Sequence, residues 1–174
     1  MCEQIKEKLY YKGKQYDMGR TRDCYPLNQY LEKRNDVKFV WQSTSCYNGY
    51  IATWAIENNK LLLIELKGYI DGRKEVNLNY VFPNQTKVFA NWFTGEIKIP
   101  IGVVFGRMDI SAKDLFLKFE NGIFVSEKEI DNRNSDEYKL YSKIQLKTPY
   151  EIFAEKNKGE RINNNGEPTY NLPF

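Results

Sequence analysis

GYIATWAIENNKLLLIEL, residues 49–66, reads as two strands joined by the two-residue turn Asn58-Asn59. Asn tolerates the positive φ that a tight hairpin turn requires. With that turn fixed, Ile56 faces Leu61, Trp54 faces Leu63 and Ala52 faces Glu65, so the large indole meets a leucine near the centre of the pair. Trp54 is therefore expected in the core, and this hairpin is expected to organise the rest of the chain.

Working outward, Lys8 to Met18 sets tyrosines on both sides of Lys12-Gly13-Lys14, the pattern of a short hairpin with Gly13 at positive φ and the lysines at its tip. Pro26 suits the first turn of a short helix in which Leu27, Tyr30 and Leu31 recur at helical spacing, ending near Asn35. Val37 to Trp41 reads as a strand, and residues 43 to 49 as a polar loop. After Leu66, Asp71-Gly72 is a second turn signal before an element from Glu75 to Phe82, stopped by Pro83-Asn84. Val88 to Phe93 is open between a strand and a helical turn. Ile97 and Ile99 alternate with Glu96 and Lys98 as in a half-buried strand, and Pro100 places its far end at an edge. Asp114 to Glu120, Asn121-Gly122 and the run from Ile123 form a second hairpin, with Leu115, Leu117 and Phe119 on one face. Residues 131 to 137 read as a solvated connection. Tyr150 to Lys156 is compatible with a short helix opened by Pro149, and residues 155–174 read as a polar, flexible C-terminal tail.

These elements imply a mainly β chain: a single, predominantly antiparallel β-rich domain over residues 1–154, a sandwich or strongly bent sheet with one or two short helices. The 174 residues are enough for one domain with a real core. A content of 41% hydrophobic and 15% aromatic residues argues for a packed globule. The formal charge of +3 is small and its signs are interspersed, which argues against electrostatic binding of nucleic acid. No apolar run approaches a membrane span, and the N-terminus carries alternating charges where a signal peptide needs an apolar segment; a cytoplasmic protein is expected.

The chain contains no histidine. That removes Ser-His-Asp and Cys-His catalysis and most catalytic zinc sites. Cys2, Cys24 and Cys46 are odd in number, lack a CxxC pair and read as unpaired thiols, so no metal, cofactor or disulfide framework is expected. No catalytic residue is assigned. Glu65, Asp71, Glu96 and Asp109 lie on or near strand ends, where two could converge, although exposed strand charges serve equally well to discourage edge pairing. Trp41, Trp54 and Trp92 offer rings for stacking on a sugar or base; core packing is the simpler reading of all three.

Taken together, YKGKQYDM, PLNQYLEK, GYIATWAIENNKLLLIEL, VFANWFTGEIKIPIG and DLFLKFENG, spanning roughly residues 8 to 125, resemble a widespread family of small uncharacterised bacterial proteins. Its pattern runs GYIATWEI, an acidic or amide turn and LYL, then VFADWFSGELRIPxG. The resemblance implies a bacterial, cytoplasmic, β-rich domain and supplies no catalytic residues. Members often carry a histidine- and glycine-containing segment after IPxG; here it reads VVFGRMDISAK, without histidine.

The functional expectation is a small bacterial protein-binding module, an immunity or inhibitor protein of a bacterial conflict system within that class, with another protein as partner. The alternatives are an enzyme using carboxylates or a divalent metal, and a subunit of a larger assembly. Tyr10, Tyr11, Tyr16, Arg20 and Arg22 are the candidate binding residues, since they combine amphipathic rings with cations near an expected sheet edge.

Overall fold

The computed structural model describes residues 5–19, 25–41, 43, 46, 48–105 and 109–145. Nine strands and three short helices follow in the order β1 (Lys8–Tyr11), β2 (Lys14–Asp17), α1 (Pro26–Leu31), β3 (Tyr50–Glu57), β4 (Lys60–Ile70), β5 (Lys74–Asn77), α2 (Leu78–Val81), β6 (Val88–Phe89), β7 (Gly95–Phe105), β8 (Ile110–Glu120), β9 (Ile123–Asp131) and α3 (Asp136–Gln145). One mixed sheet holds all nine strands, in the order β2-β1-β3-β4-β9-β8-β7 with β5 and β6 also paired to β4. Every pairing is antiparallel except β1 with β3.

Asn58 and Asn59 take φ of 49° and 59°, the paired left-handed conformation whose twist matches that of the strands it joins. Ile56 opposes Leu61 and Trp54 opposes Leu63, as the turn dictates. Beyond them the register shifts, and Ala52 opposes Leu66 rather than the expected Glu65, which pairs with Thr53. Ile64 is the extra residue of a β-bulge. Regular pairing would have set the Glu65 carboxylate on the buried face beside Ala52; the bulge turns it out and puts Leu66 there instead. Burying an unpaired carboxylate is far costlier than a local kink, whereas a buried leucine stabilises by about 1.5–3 kcal/mol.

Trp54, Leu61 and Leu63 share one core with Ile97, Ile99, Leu117 and Phe119 from β7 and β8. The sheet reaches this by bending. β4 goes on to pair with β6 and β5, while β9 leaves β4 after the single pair Lys60 with Ile123. Gly19, just past β2, then donates its N–H to the Lys98 carbonyl of β7 at 2.7 Å, so the two ends of the strand order meet without closing into a ladder.

The two main hairpin turns interlock. Leu61 N donates to Gly122 O at 2.8 Å, Phe124 N to Asn59 O at 2.8 Å and Gly122 N to Phe93 O at 2.7 Å. Gly122 sits at φ +75°, and a Cβ there would lie 2.4 Å from the Ala90 carbonyl oxygen. Gly122→Ala therefore meets both a left-handed penalty and a backbone clash, and a loss of about 2–3 kcal/mol is expected. In calorimetry that corresponds to a melting temperature lower by roughly 5–10 °C; an unchanged value would show that this junction is not tightly packed.

Several sequence expectations are corrected. Val37 to Trp41 is not a strand but a strap, attached by Val40 N donating to Tyr69 O at 2.8 Å. The Phe39 ring lies so close to Gly68 that a Cβ there would come within 2.3 Å of it, and this approach holds the strap against β4 in place of a ladder. Glu75 to Phe82 divides into β5 and the single turn α2, because the Asn77 side chain accepts from Asn79 N at 3.1 Å and stops the strand. Val88 to Phe93 resolves into the two-residue β6 followed by a turn. α3 starts within the stretch that reads as a polar connection: Ser135 Oγ accepts from Tyr138 N at 3.1 Å and opens the helix. The segment from Tyr150 to Lys156 and the tail 155–174 lie outside the described residues.

Candidate binding surfaces

The N-terminal hairpin turns at Lys12 and Gly13, with φ of 48° and 75°. β2 ends the strand order, so the expected sheet edge is there. Tyr10 is 44% exposed, its hydroxyl accepting from Gln15 Nε2 at 2.9 Å. Tyr11 turns inward: its ring meets Phe124 and its hydroxyl donates to Glu127 Oε2 at 2.7 Å, while Lys12 Nζ holds the same carboxylate at 2.8 Å. The Lys12 ammonium, followed by the Tyr11 hydroxyl, lowers the Glu127 pKa. Tyr16 packs half-buried against the core, and Lys8 pairs with Asp17 across the hairpin. The hairpin thus clasps β9 through Glu127 and leaves Tyr10 outside. Arg20 and Arg22 lie outside the described residues.

Two buried polar groups were not legible in the sequence. Glu7, just before β1, is fully buried; its Oε2 accepts from Trp54 Nε1 at 2.6 Å, and its Oε1 has no partner. Burial raises its pKa to about 8, against the smaller lowering by the Trp54 hydrogen bond. Tyr50, whose hydroxyl donates to Asn28 Oδ1 at 2.6 Å, is likewise pushed up by burial and then by the nearby Glu7. The Cys46 thiol is buried in the same region, 3.8 Å from the Tyr50 carbonyl oxygen.

The second group joins the far ends of β7, β8 and β9 to the N-terminal segment. Lys6 Nζ lies 2.6 Å from Asp109 Oδ1, and Lys98 Nζ lies 3.2 Å from Asp114 Oδ2. Ser111 Oγ is 2.7 Å from Asp114 Oδ1, and Asn132 Nδ2 donates to Asp114 Oδ2 at 2.8 Å. Both Asp114 oxygens are engaged and each acid faces a lysine, so the arrangement braces the strand ends. Asp109 faces a lysine rather than a second acid. Among the described residues no group of three or more His, Cys, Asp or Glu side chains is placed to hold a metal.

Exposed apolar side chains concentrate late in the chain. Ile123, Val125 and Ile130 on β9 are exposed, and so are Leu140 and Ile144, which share one face of α3. Val125 is the extra residue of a bulge, since Phe119 pairs with Phe124 and Lys118 with Ser126. Because β4 has turned away, β9 pairs over this stretch with β8 alone among the described residues.

The tryptophans divide three ways. Trp54 is fully buried; Trp92 is half-buried, donating to Pro26 O at 3.0 Å and packing with Tyr30 and Phe82. Trp41, expected in the core, is 63% exposed on the strap. On the other side of β4 a cleft of about 420 Å³ is lined by Glu75, Val76, Asn77, Asn79 and Tyr80. Its lining is the contiguous segment 75–80, and it forms where the Asn77 cap stops β5 and turns the chain into α2, a break that the sequence reading of one element from Glu75 to Phe82 does not show.

Comparison of the chain with protein-family models, with curated proteins and with solved structures finds no match in any of the three. Among the described residues no helix is long and apolar enough to cross a membrane.

Proposed function

We propose that this chain is a protein-binding module, and that its partner docks on β9 and α3. The observation that supports this is the set of exposed apolar side chains at Ile123, Val125 and Ile130 on β9 and at Leu140 and Ile144 on α3, with β9 paired along most of its length to β8 alone among the described residues. These side chains offer apolar contact area to a partner on one strand and on the helix that follows it. Their charged neighbours are already paired, Glu129 with Lys113 at 2.6 Å and Asp131 with Arg133 at 2.5 Å, which suits the polar rim of an interface. Inhibition or immunity in a bacterial conflict system is the finer form of this reading, because a small rigid binder needs no chemistry of its own. Capture from the native host with tagged wild type and with Val125→Lys/Ile130→Lys is the test. A partner retained at matched stoichiometry by the wild type and lost by the double variant is expected. Equal retention by both would remove this surface, and no stoichiometric partner would remove the binding role.

A further inference from the structure

We infer that the cleft between β5 and α2, together with Trp41, binds an uncharged carbohydrate chain. The cleft's polar groups are presented rather than consumed. Among the described residues the Tyr80 hydroxyl and the Asn79 side-chain amide have no hydrogen-bond partner, and Asn77 uses its Oδ1 on Asn79 N while its Nδ2 stays open. Glu75 spends Oε2 on Lys67 Nζ, 3.1 Å away, and keeps Oε1. This is a mixed set: carboxylate and amide oxygens that accept, and amide and phenol hydrogens that donate. A sugar hydroxyl, which does both, satisfies such a set from either side.

Charge narrows the class further. The single ionised group in the lining is the Glu75 carboxylate, already paired with Lys67, so the lining itself presents no cation to hold a phosphate or an acidic ligand. The cleft is shallow and open to solvent, a shape along which an extended ligand lies rather than one that encloses it. Val76 and the Tyr80 ring supply the apolar part of the wall, and Tyr80 is held in place by the edge of the Phe39 ring at 5.8 Å.

Trp41 sets the length of the ligand. It is two residues along the strap from Phe39, and its neighbour Val40 is bonded to Tyr69, the residue that pairs with Glu75. Strap and β5 therefore flank β4, about 10 Å apart at the usual strand spacing. A chain of two or three rings is long enough to run from the cleft across β4 to the strap that carries the exposed Trp41. An indole left in water is a large apolar surface with a polar edge, suited to the face of a sugar ring.

Calorimetric titration of the full chain with maltotriose, cellotriose and the trimer of N-acetylglucosamine, with a sulfated trisaccharide as the charged comparison, tests the assignment. At least one neutral trisaccharide is expected to bind with millimolar or tighter affinity and its monosaccharide at least tenfold more weakly. Trp41→Ala and Asn79→Ala are each expected to weaken binding about tenfold or more with the melting temperature unchanged. Tighter binding of the sulfated sugar, no binding by any of the neutral three, or affinity retained in both variants would overturn it. None of these readouts depends on the β9 surface.

Discussion

Trp54→Ala is expected to leave the protein unfolded or aggregated at ordinary temperature. The indole is fully buried opposite Leu63 at the centre of the β3–β4 hairpin, and it lies in the same cluster as Ile97, Leu117 and Phe119 from the other half of the sheet. Removing a buried aromatic costs about 3–5 kcal/mol through lost burial and the cavity left behind. Here a second loss follows, because Trp54 Nε1 is the donor to Glu7 Oε2, and without it a buried carboxyl has no partner on either oxygen. A small domain has only about 5–15 kcal/mol of stability in total. Trp54→Phe separates the two effects: it keeps most of the apolar volume and loses the donor, with an expected cost of about 1–3 kcal/mol. Urea unfolding followed by circular dichroism reads both variants; a Trp54→Ala midpoint equal to the wild type's would contradict the placement of this hairpin at the centre of the fold.

Stability is expected to fall as pH rises from acid to mildly alkaline, and Glu7→Gln is expected to flatten that profile. The Glu7 carboxyl stands at about 8 in the folded chain against an ordinary 4.5. Between those values it is protonated when folded and ionised when unfolded, so the unfolded state binds fewer protons and gains on the folded one as pH increases. The contribution is complete below the ordinary value and is lost by about pH 8. At about 1.4 kcal/mol per pH unit, its upper bound is about 5 kcal/mol. The titratable group that feels Glu7 is Tyr50 on β3, which in turn faces Tyr25 ahead of α1 and the Cys46 thiol. Tyr50 is itself pushed well above its ordinary value, which keeps it out of this window. Asp36 and Asp131, each lowered to about 2 chiefly by hydrogen bonds from Arg34 and Arg133, run the other way and only in strong acid. Urea midpoints measured from pH 5 to pH 8.5 check this: a wild-type profile flat over that range, or one identical in Glu7→Gln, would show that the carboxyl is not held neutral in the fold.

The residues behind these two predictions differ in how far the sequence announces them. Trp54 is legible because its neighbours and the Asn58-Asn59 turn are local: strand alternation and turn geometry assign its face without reference to the rest of the chain. Glu7 is not. In sequence it is one more charge in a run of alternating charges, and it becomes buried because β1 pairs parallel to β3, with Leu9 opposite Trp54. A parallel pairing leaves no hairpin signal behind it. The candidate surfaces divide in the same way: the N-terminal hairpin and its two lysines are local, while the inward turn of Tyr11 follows from Glu127, more than a hundred residues away.

By itself, then, the sequence determined the mainly β class, the three tight hairpins at Lys12-Gly13, Asn58-Asn59 and Asn121-Gly122, the short helix behind Pro26 and the burial of Trp54. Each depends on interactions within a few residues, where turn chemistry and alternation act alone. Only the tertiary structure decided the Glu65 bulge, the exposure of Trp41, the cleft between β5 and α2 and the edge of β9. The bulge, the exposure of Trp41 and the edge of β9 follow from how a bent sheet divides a limited buried face among distant segments, while the cleft follows from the Asn77 cap that turns β5 into α2 beside β4. Glu65 is turned out because Leu66 fills the place opposite Ala52, Trp41 stays outside because Phe39 of the same strap has taken the ground over Gly68, and β9 has no second ladder among the described residues beyond Lys60–Ile123 because β4 has already turned to pair with β6 and β5.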